Sequence, residues 1–341
     1  MNATASNTSL VVRAVPDRDH WDALVDEHAG HPLQLWGWGA AKAHSGSWKA
    51  VHLEVRDAAA DRTIGGAQVL IRRLPLPFAR IAYVPRGPFG DADRLGEIAT
   101  AVAAHVRREI GGIGITFEPD INADVPFEVQ GGRAQAGHVL IPSTLILDLR
   151  LTPEELLAGM AKKTRQYVHK SQREDLVYRR VRDHDEIAKL LDVYDETAQR
   201  AGFPLHDRAY YFAVQEQLGE HSPIWAAWQG DEPVAFLWNA VSASTSFELY
   251  GGVTEVGQHL RANYALKWTA ITDLQQQGVT RYDLNGLLND GISTFKRGFS
   301  KHEDLLHSGV DVPFSWRYSL WTRLLPTANA ALRRLRSLVG R

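Results

Sequence analysis

The chain has 341 residues, of which 44% are hydrophobic, 9% aromatic and 23% charged, the profile of an ordinary globular protein long enough for two cores. Lys plus Arg number 38 against 40 for Asp plus Glu, a net charge of −2. That balance argues against a protein that coats duplex nucleic acid, although a local basic groove is compatible with it.

With no cysteine, disulfides, thiolate zinc sites and a cysteine nucleophile are excluded. Residues 1–21 lack the basic stretch and apolar run of a secretory signal. No run of about 18 apolar residues offers a bilayer span. The cytoplasm is therefore the expected location, and a monomer the expected state.

In chain order, "VHLEVRDAAADRTIGGAQVLIRRL" (51–74) reads as strand, polar turn, strand. "FARIAYVPRGPFGD" (78–91) is a strand ending in a Pro/Gly loop. "ADRLGEIATAVAAHVRREIGG" (92–112) has apolar residues at helical spacing and closes on Gly111-Gly112, and "IGITFEPD" (113–120) is a strand. A second segment repeats this order. "IWAAWQGDEPVAFLWNAVS" and "TSFELYGGVTE" supply strands, "RANYALKWTAITDLQQQG" a helix ending at Gly278, and "VTRYDLNG" a strand. The interval from Tyr83 to Phe117 nearly equals that from Tyr250 to Tyr282.

Between the copies, Leu145 to Leu149 alternate as a strand, and Thr152-Pro153-Glu154-Glu155 is a capping-box helix start. That helix is expected to run on through Lys162, Lys163, Arg165, Lys170 and Arg173, the densest basic stretch and a candidate nucleic-acid face. "HDEIAKLLDVYDETAQRAG" predicts a helix ending at Gly202. After Pro313 the chain carries Trp316, Trp321 and the amphipathic "NAALRRLRSLVGR", expected to pack back on the first domain or to lie on a membrane surface. The order β-β-β-α-β, seen twice, resembles the GCN5-related N-acetyltransferase (GNAT) fold. The expected architecture is α/β, with tandem GNAT-like domains: 1–144 plus 313–341, and 145–312.

The sequence contains no P-loop, no G-x-S-x-G elbow, no H-E-x-x-H and no dinucleotide fingerprint. His206 and His302 lie in polar loops, outside any metal-spaced pair, so neither a metal nor another cofactor is expected. Acetyl-CoA users of the related fold hold the pyrophosphate on a glycine-rich loop at a helix start. The corresponding "GVTEVGQHLRANYAL" has no such glycines, which disfavours an acyl-CoA N-acyltransferase.

Seven stretches in order, "PLQLWGWGAAK", "AYVPRGPFGD", "TFEPD", "LILDLRLTPEELLAGMAKKTRQYVHKSQRE", "YDETAQRAGFPLHDRAYYF", "FELYGG" and "YDLNG…STFKRGFS", resemble the Fem family of aminoacyl-tRNA-dependent peptidoglycan bridge-forming enzymes. The resemblance covers nearly the whole chain and implies two acetyltransferase-like domains without a coiled-coil arm. It also implies transfer of an amino acid from aminoacyl-tRNA to a side-chain amine of a UDP-linked or lipid-linked muramoyl pentapeptide. A lipid-linked acceptor would bring a soluble enzyme to the inner face of the plasma membrane.

By the same resemblance Lys296, beside Phe295, would stabilise the oxyanion or the tRNA 3′ end, and Glu118 would help deprotonate the amine. Lys42, with Trp38 four residues earlier, Arg86, Tyr210 and Tyr250 would contact the acceptor. Where the family often has an arginine this chain has His206, with Arg208 two residues on, and Arg208 is preferred as the phosphate ligand. Lys162, Lys163, Arg165 and Lys170 would face tRNA. Two alternatives stay open: transfer from tRNA to another amine acceptor, such as an antibiotic intermediate, and a non-catalytic protein that binds precursor or RNA.

Overall fold

The computed structural model describes residues 10–44, 46–135, 137–287 and 291–323. Two sheets organise it. The first has eight strands, in the order Leu10–Ala14, Trp48–Asp57, Arg62–Arg73, Arg80–Pro85, Gly114–Glu118, Val310–Pro313 and Arg133–Ala134, with Phe89–Gly90 paired to Arg62–Arg73. The second has six, in the order Val177–Val181, Ile224–Gln229, Glu232–Val241, Thr245–Val253, Arg281–Asp283 and Ile146–Asp148. In each sheet the strand before the crossover helix pairs in parallel with the strand after it: Arg80–Pro85 with Gly114–Glu118, and Thr245–Val253 with Arg281–Asp283. The other pairings within the two sheets are antiparallel. This is the tandem GNAT-like arrangement that the repeated pattern predicts.

The first sheet buries Leu53, Val69, Val84 and Phe117 against Ile98 and Val102 of helix Leu95–His105. The second buries Trp225, Leu237 and Tyr282 against Leu266, Ile271 and Leu274 of helix Ala262–Gln276. A third apolar cluster joins the lobes, with Trp21, Leu33, Trp38 and Phe89 from the first meeting Leu190, Tyr194, Val214 and Phe247 from the second. Here helix Trp36–His44 lies on helix Arg208–Leu218 so closely that a Cβ on Gly37 would stand 2.3 Å from the Gln217 carbonyl oxygen.

Polar contacts complete the seam. Arg281 grips Asp120 across the lobes at 2.8 and 3.0 Å. Burial opposes ionisation of Asp120, but the charges of Arg281 and Arg86 outweigh it and hold the carboxyl at about 2. His31, Asp120 and Asp283 bring their ligand atoms within 4.8 Å of one another, a spacing a cation could use. The surroundings oppose that use. Arg281 and Arg86 offset the burial of Asp120, burial still raises the Asp283 carboxyl and disfavours its charge, and His31 Nδ1 accepts from the Leu33 N–H at 3.1 Å, leaving the neutral ring's hydrogen on Nε2.

Two local expectations change. The helix expected to run from Pro153 through Arg173 is two helices, Pro153–Gly159 and Lys162–Ser171, because Met160 and Ala161 are extended. The Phe295–Lys296 pair lies on a short helix, Gly291–Arg297. The return to the first sheet, expected at residue 313, begins at Val310. Residues 316–323 are helical, whereas the amphipathic stretch after them lies outside the described residues.

Candidate active site

Lys42 is on the last turn of helix Trp36–His44 and points out of the first lobe into the second. Its Nζ donates to the Tyr210 hydroxyl at 2.6 Å and lies 4.5 Å from the Trp38 ring centre and 4.8 Å from that of Tyr210. Tyr210 is held by its own helix start, where Asp207 caps its backbone N–H at 2.8 Å. The Tyr250 hydroxyl, from strand Thr245–Val253, donates to the same Tyr210 oxygen at 3.4 Å. The His206 ring lies 4.2 Å from that of Tyr210. Five residues named from the sequence, Trp38, Lys42, His206, Tyr210 and Tyr250, thus form one constellation drawn from both lobes.

Its electrostatics follow from burial. Removing the Lys42 ammonium from water lowers its pKa from the ordinary 10.5 to about 8. Burial pushes Tyr210 up to about 12 and Tyr250 well above the usual tyrosine range, so both hydroxyls stay neutral donors at physiological pH. His206 is lowered, first by burial and then by the nearby Lys42 charge. Tyr194, Tyr211 and Trp238 surround Tyr250 with ring centres 5.9, 5.0 and 5.5 Å away and fix its orientation.

A second constellation begins two residues earlier on the Tyr250 strand. Glu248 is buried, takes a 2.6 Å contact from the Lys267 ammonium and accepts a 2.7 Å hydrogen bond from the Tyr282 hydroxyl. Lys267 also lies 5.0 Å from the Phe295 ring centre and 5.3 Å from that of Phe299, so the pair carries the aromatic residues on its surface. Asn285, with positive φ, donates its amide to the Glu248 carbonyl at 2.9 Å. Lys296 is half-buried, and its Nζ donates to the carbonyls of Asn285 and Gly286 at 3.2 and 3.3 Å. A short chain of hydrogen bonds therefore runs from Lys296 through Asn285 to the strand that carries Tyr250. Sequence reading missed Glu248 and Lys267. Their signal is a lone charge in an otherwise apolar strand and in an otherwise apolar helix face.

The basic helix Lys162–Ser171 abuts this second constellation, for the Ala161 N–H that precedes it donates to the Gly298 carbonyl at 2.9 Å. Lys162, Lys163 and Lys170 are exposed, and Lys163 and Arg261 flank the Tyr167 ring at 5.5 and 4.6 Å. Arg165 turns back instead, donating to the Met160 carbonyl at 2.6 Å and closing the helix before it.

Two other expectations are corrected. Glu118 accepts from the Tyr83 hydroxyl at 2.5 Å and from the N–H groups of Val139 and Leu140 at 2.6 and 3.0 Å. Buried and so engaged, it anchors the chain between the lobes and is poorly placed to take a proton from an amine. Arg86, in left-handed backbone with φ 48°, is 1% exposed; its guanidinium faces the seam and donates to the Ile141 carbonyl at 3.2 Å. Arg208 is paired with Asp192 and Asp195 at 2.5 and 2.6 Å on helix His184–Ala201, whereas His206 stands beside Tyr210.

The fold is that of tandem GNAT-like domains. A family model for the acetyltransferase (GNAT) domain matches residues 158–297. Among solved structures, FemX aligns at a TM-score of 0.80 and 16% identity over 92% of this chain and 99% of that one. The C-terminal domain of a putative lysylphosphatidylglycerol synthetase from Agrobacterium fabrum aligns at 0.54 and 13% identity, over 86% and 90%. A tandem GNAT protein from the clavulanic acid biosynthesis pathway aligns at 0.50 and 12%, over 89% and 98%. No curated protein matches the sequence. The likeness to FemX is one of fold, and the GNAT family match falls on the second lobe. Among the described residues no helix is long and apolar enough to cross a membrane.

Proposed function

We propose that the protein moves an amino acid from aminoacyl-tRNA to the side-chain amine of a peptidoglycan precursor. The observation that carries this reading is the meeting of Lys42 from one lobe with Tyr210 and Tyr250 from the other in a single hydrogen-bonded constellation. One cation and two neutral hydroxyl donors form a compact binding set for a phosphorylated acceptor. His206 extends it.

Lys296 serves the acyl-transfer step itself. The acceptor amine attacks the ester carbonyl, forming the C–N bond and an oxyanion that the Lys296 ammonium stabilises. The ester C–O bond then breaks, and the 3′-terminal ribose oxygen of tRNA leaves with one proton. A second proton, from the starting ammonium, passes to solvent. Phe295, braced by Lys267, Phe299 and Tyr264, provides an aromatic face for a terminal base. Lys162, Lys163 and Lys170 line the approach for RNA phosphates.

An acyl-CoA donor fits less well. At the start of helix Ala262–Gln276 the preceding amides are already used: Gly257 N–H bonds Thr254 Oγ1 at 3.0 Å, and Gln258, Leu260 and Arg261 N–H groups bond carbonyls at 2.9, 3.0 and 3.1 Å. A pyrophosphate would find few open N–H groups there.

The test is a transfer assay with mixed radiolabelled aminoacyl-tRNAs and a UDP-linked muramoyl pentapeptide. Label on the peptide supports the reading. Acylation of the same acceptor only from acetyl-CoA overturns it.

A further inference from the structure

The end of the first sheet opposite the lobe seam has a composition unlike the rest of the molecule. Here strand Arg62–Arg73 ends, Arg80–Pro85 begins and Gly114–Glu118 begins, with Arg73 opposite Arg80 and Gly114 opposite Pro313. The turn between the first two strands projects Leu76, which is 90% exposed and flanked by Pro75 and Pro77. Behind it Phe78 packs on Trp321 at 5.1 Å, tying the turn to the helical residues 316–323. On that helix Trp316 is 70% exposed, and Leu320, one turn on along the same face, is exposed as well. Leu76 and Trp316 are the two most exposed large apolar residues of those described.

Charge at this end is one-sided. Arg72, Arg73, Arg80, Arg317 and Arg323 are all exposed. The sequence holds no Asp or Glu from residue 62 to 90, and none from 312 to 323. The nearby Glu109 is neutralised by Arg108 at 2.7 Å. In a protein of net charge −2, such a concentration of arginine around projecting Leu and Trp side chains is a specific arrangement.

We propose that this end of the first lobe docks on an anionic lipid surface, with Leu76, Trp316 and Leu320 entering the headgroup boundary and the arginines meeting lipid phosphates. The geometry fits that partner better than others. A second copy would oppose arginine to arginine across the contact. RNA would gain from the arginines but has no use for a projecting leucine. An interfacial bilayer zone takes up leucine, tryptophan and arginine together, because each has an apolar body and the last two a polar end that stays wet.

The experiment measures partition of the full-length protein onto vesicles of phosphatidylcholine alone and onto vesicles rich in phosphatidylglycerol, with no tRNA or acceptor present. Its outcome is therefore separate from that of the transfer assay. The expected result is binding to the phosphatidylglycerol vesicles only, weakened by salt. Leu76→Asp with Trp316→Asp should lower partition by at least about tenfold. Arg73→Gln with Arg323→Gln should lower it by about 25-fold, at about fivefold per charge. All these side chains are exposed, so the thermal midpoint should not move. Absence of binding to either vesicle overturns the proposal, as does binding that the two double variants leave unchanged. Loss of tRNA binding in the arginine variant without any vesicle binding would reassign the face to RNA and equally overturn it.

Discussion

Lys42 gives the most quantitative test of the cross-lobe constellation. Burial lowers its pKa to about 8, so in the free protein it begins to lose its charge within an accessible pH range. A phosphorylated acceptor binds the ammonium and raises its pKa in the complex. Affinity should therefore be level below the free pKa and fall tenfold for each unit above it. Between pH 7 and pH 9 the expected loss is about tenfold, or about 1.4 kcal/mol. Other groups of the constellation leave that window open, since Tyr210 titrates at about 12 and His206 below its ordinary 6.5. Stability should move the opposite way. The unfolded chain holds the Lys42 proton up to its ordinary 10.5, so stability gains from this residue as pH rises from about 8 towards that value. The assay is calorimetric titration of UDP-linked muramoyl pentapeptide at closely spaced pH values, repeated on Lys42→Met. The variant should bind more weakly at pH 7 and lack the fall above pH 8. An unchanged affinity in Lys42→Met, or a wild-type profile flat to pH 10, would refute the assignment.

Further expectations follow from the second constellation and the seam. Lys296→Met should lower kcat of transfer by about 10²- to 10³-fold while acceptor Kd stays put, the split expected of a group that acts on a developing charge; an equal loss in Kd would place Lys296 in acceptor binding instead. Lys267→Met strands the buried Glu248 carboxylate and should cost about 3–5 kcal/mol in denaturant unfolding, whereas a cost under about 1 kcal/mol would mean the pair is solvated. Adding Glu248→Gln should recover part of that loss. Gly37→Ala puts a methyl group where the Gln217 backbone stands, and should lower stability by about 1–3 kcal/mol and weaken acceptor binding with it.

Local chemistry made much of this fold legible. Thr152 and Glu155 form the capping box that their spacing predicts, and Gly202 takes the left-handed backbone that ends its helix. What the sequence concealed depends on partners far along the chain. Nothing near Arg208 says that Asp192 and Asp195, one turn apart on another helix, will claim its guanidinium. The carboxylate of Glu118 looks available until Val139 and Leu140 return to it. Arg165 reads as one more charge in a basic run, but its reach to the Met160 carbonyl closes the preceding helix. The constellation residues were nameable from resemblance to a family, whereas their union across the seam required the packing of two helices against Gly37.

The strand Val310–Pro313 sits between Gly114–Glu118 and Arg133–Ala134, inside a sheet whose other strands are all made before residue 135. On the ribosome, the first lobe must therefore wait for its last central strand while the whole of the second is being synthesised. Through that interval Gly114–Glu118 has an open hydrogen-bonding edge, and any chain cut short before residue 310 keeps it open for good. Truncated products should thus be aggregation-prone even when their second lobe is complete.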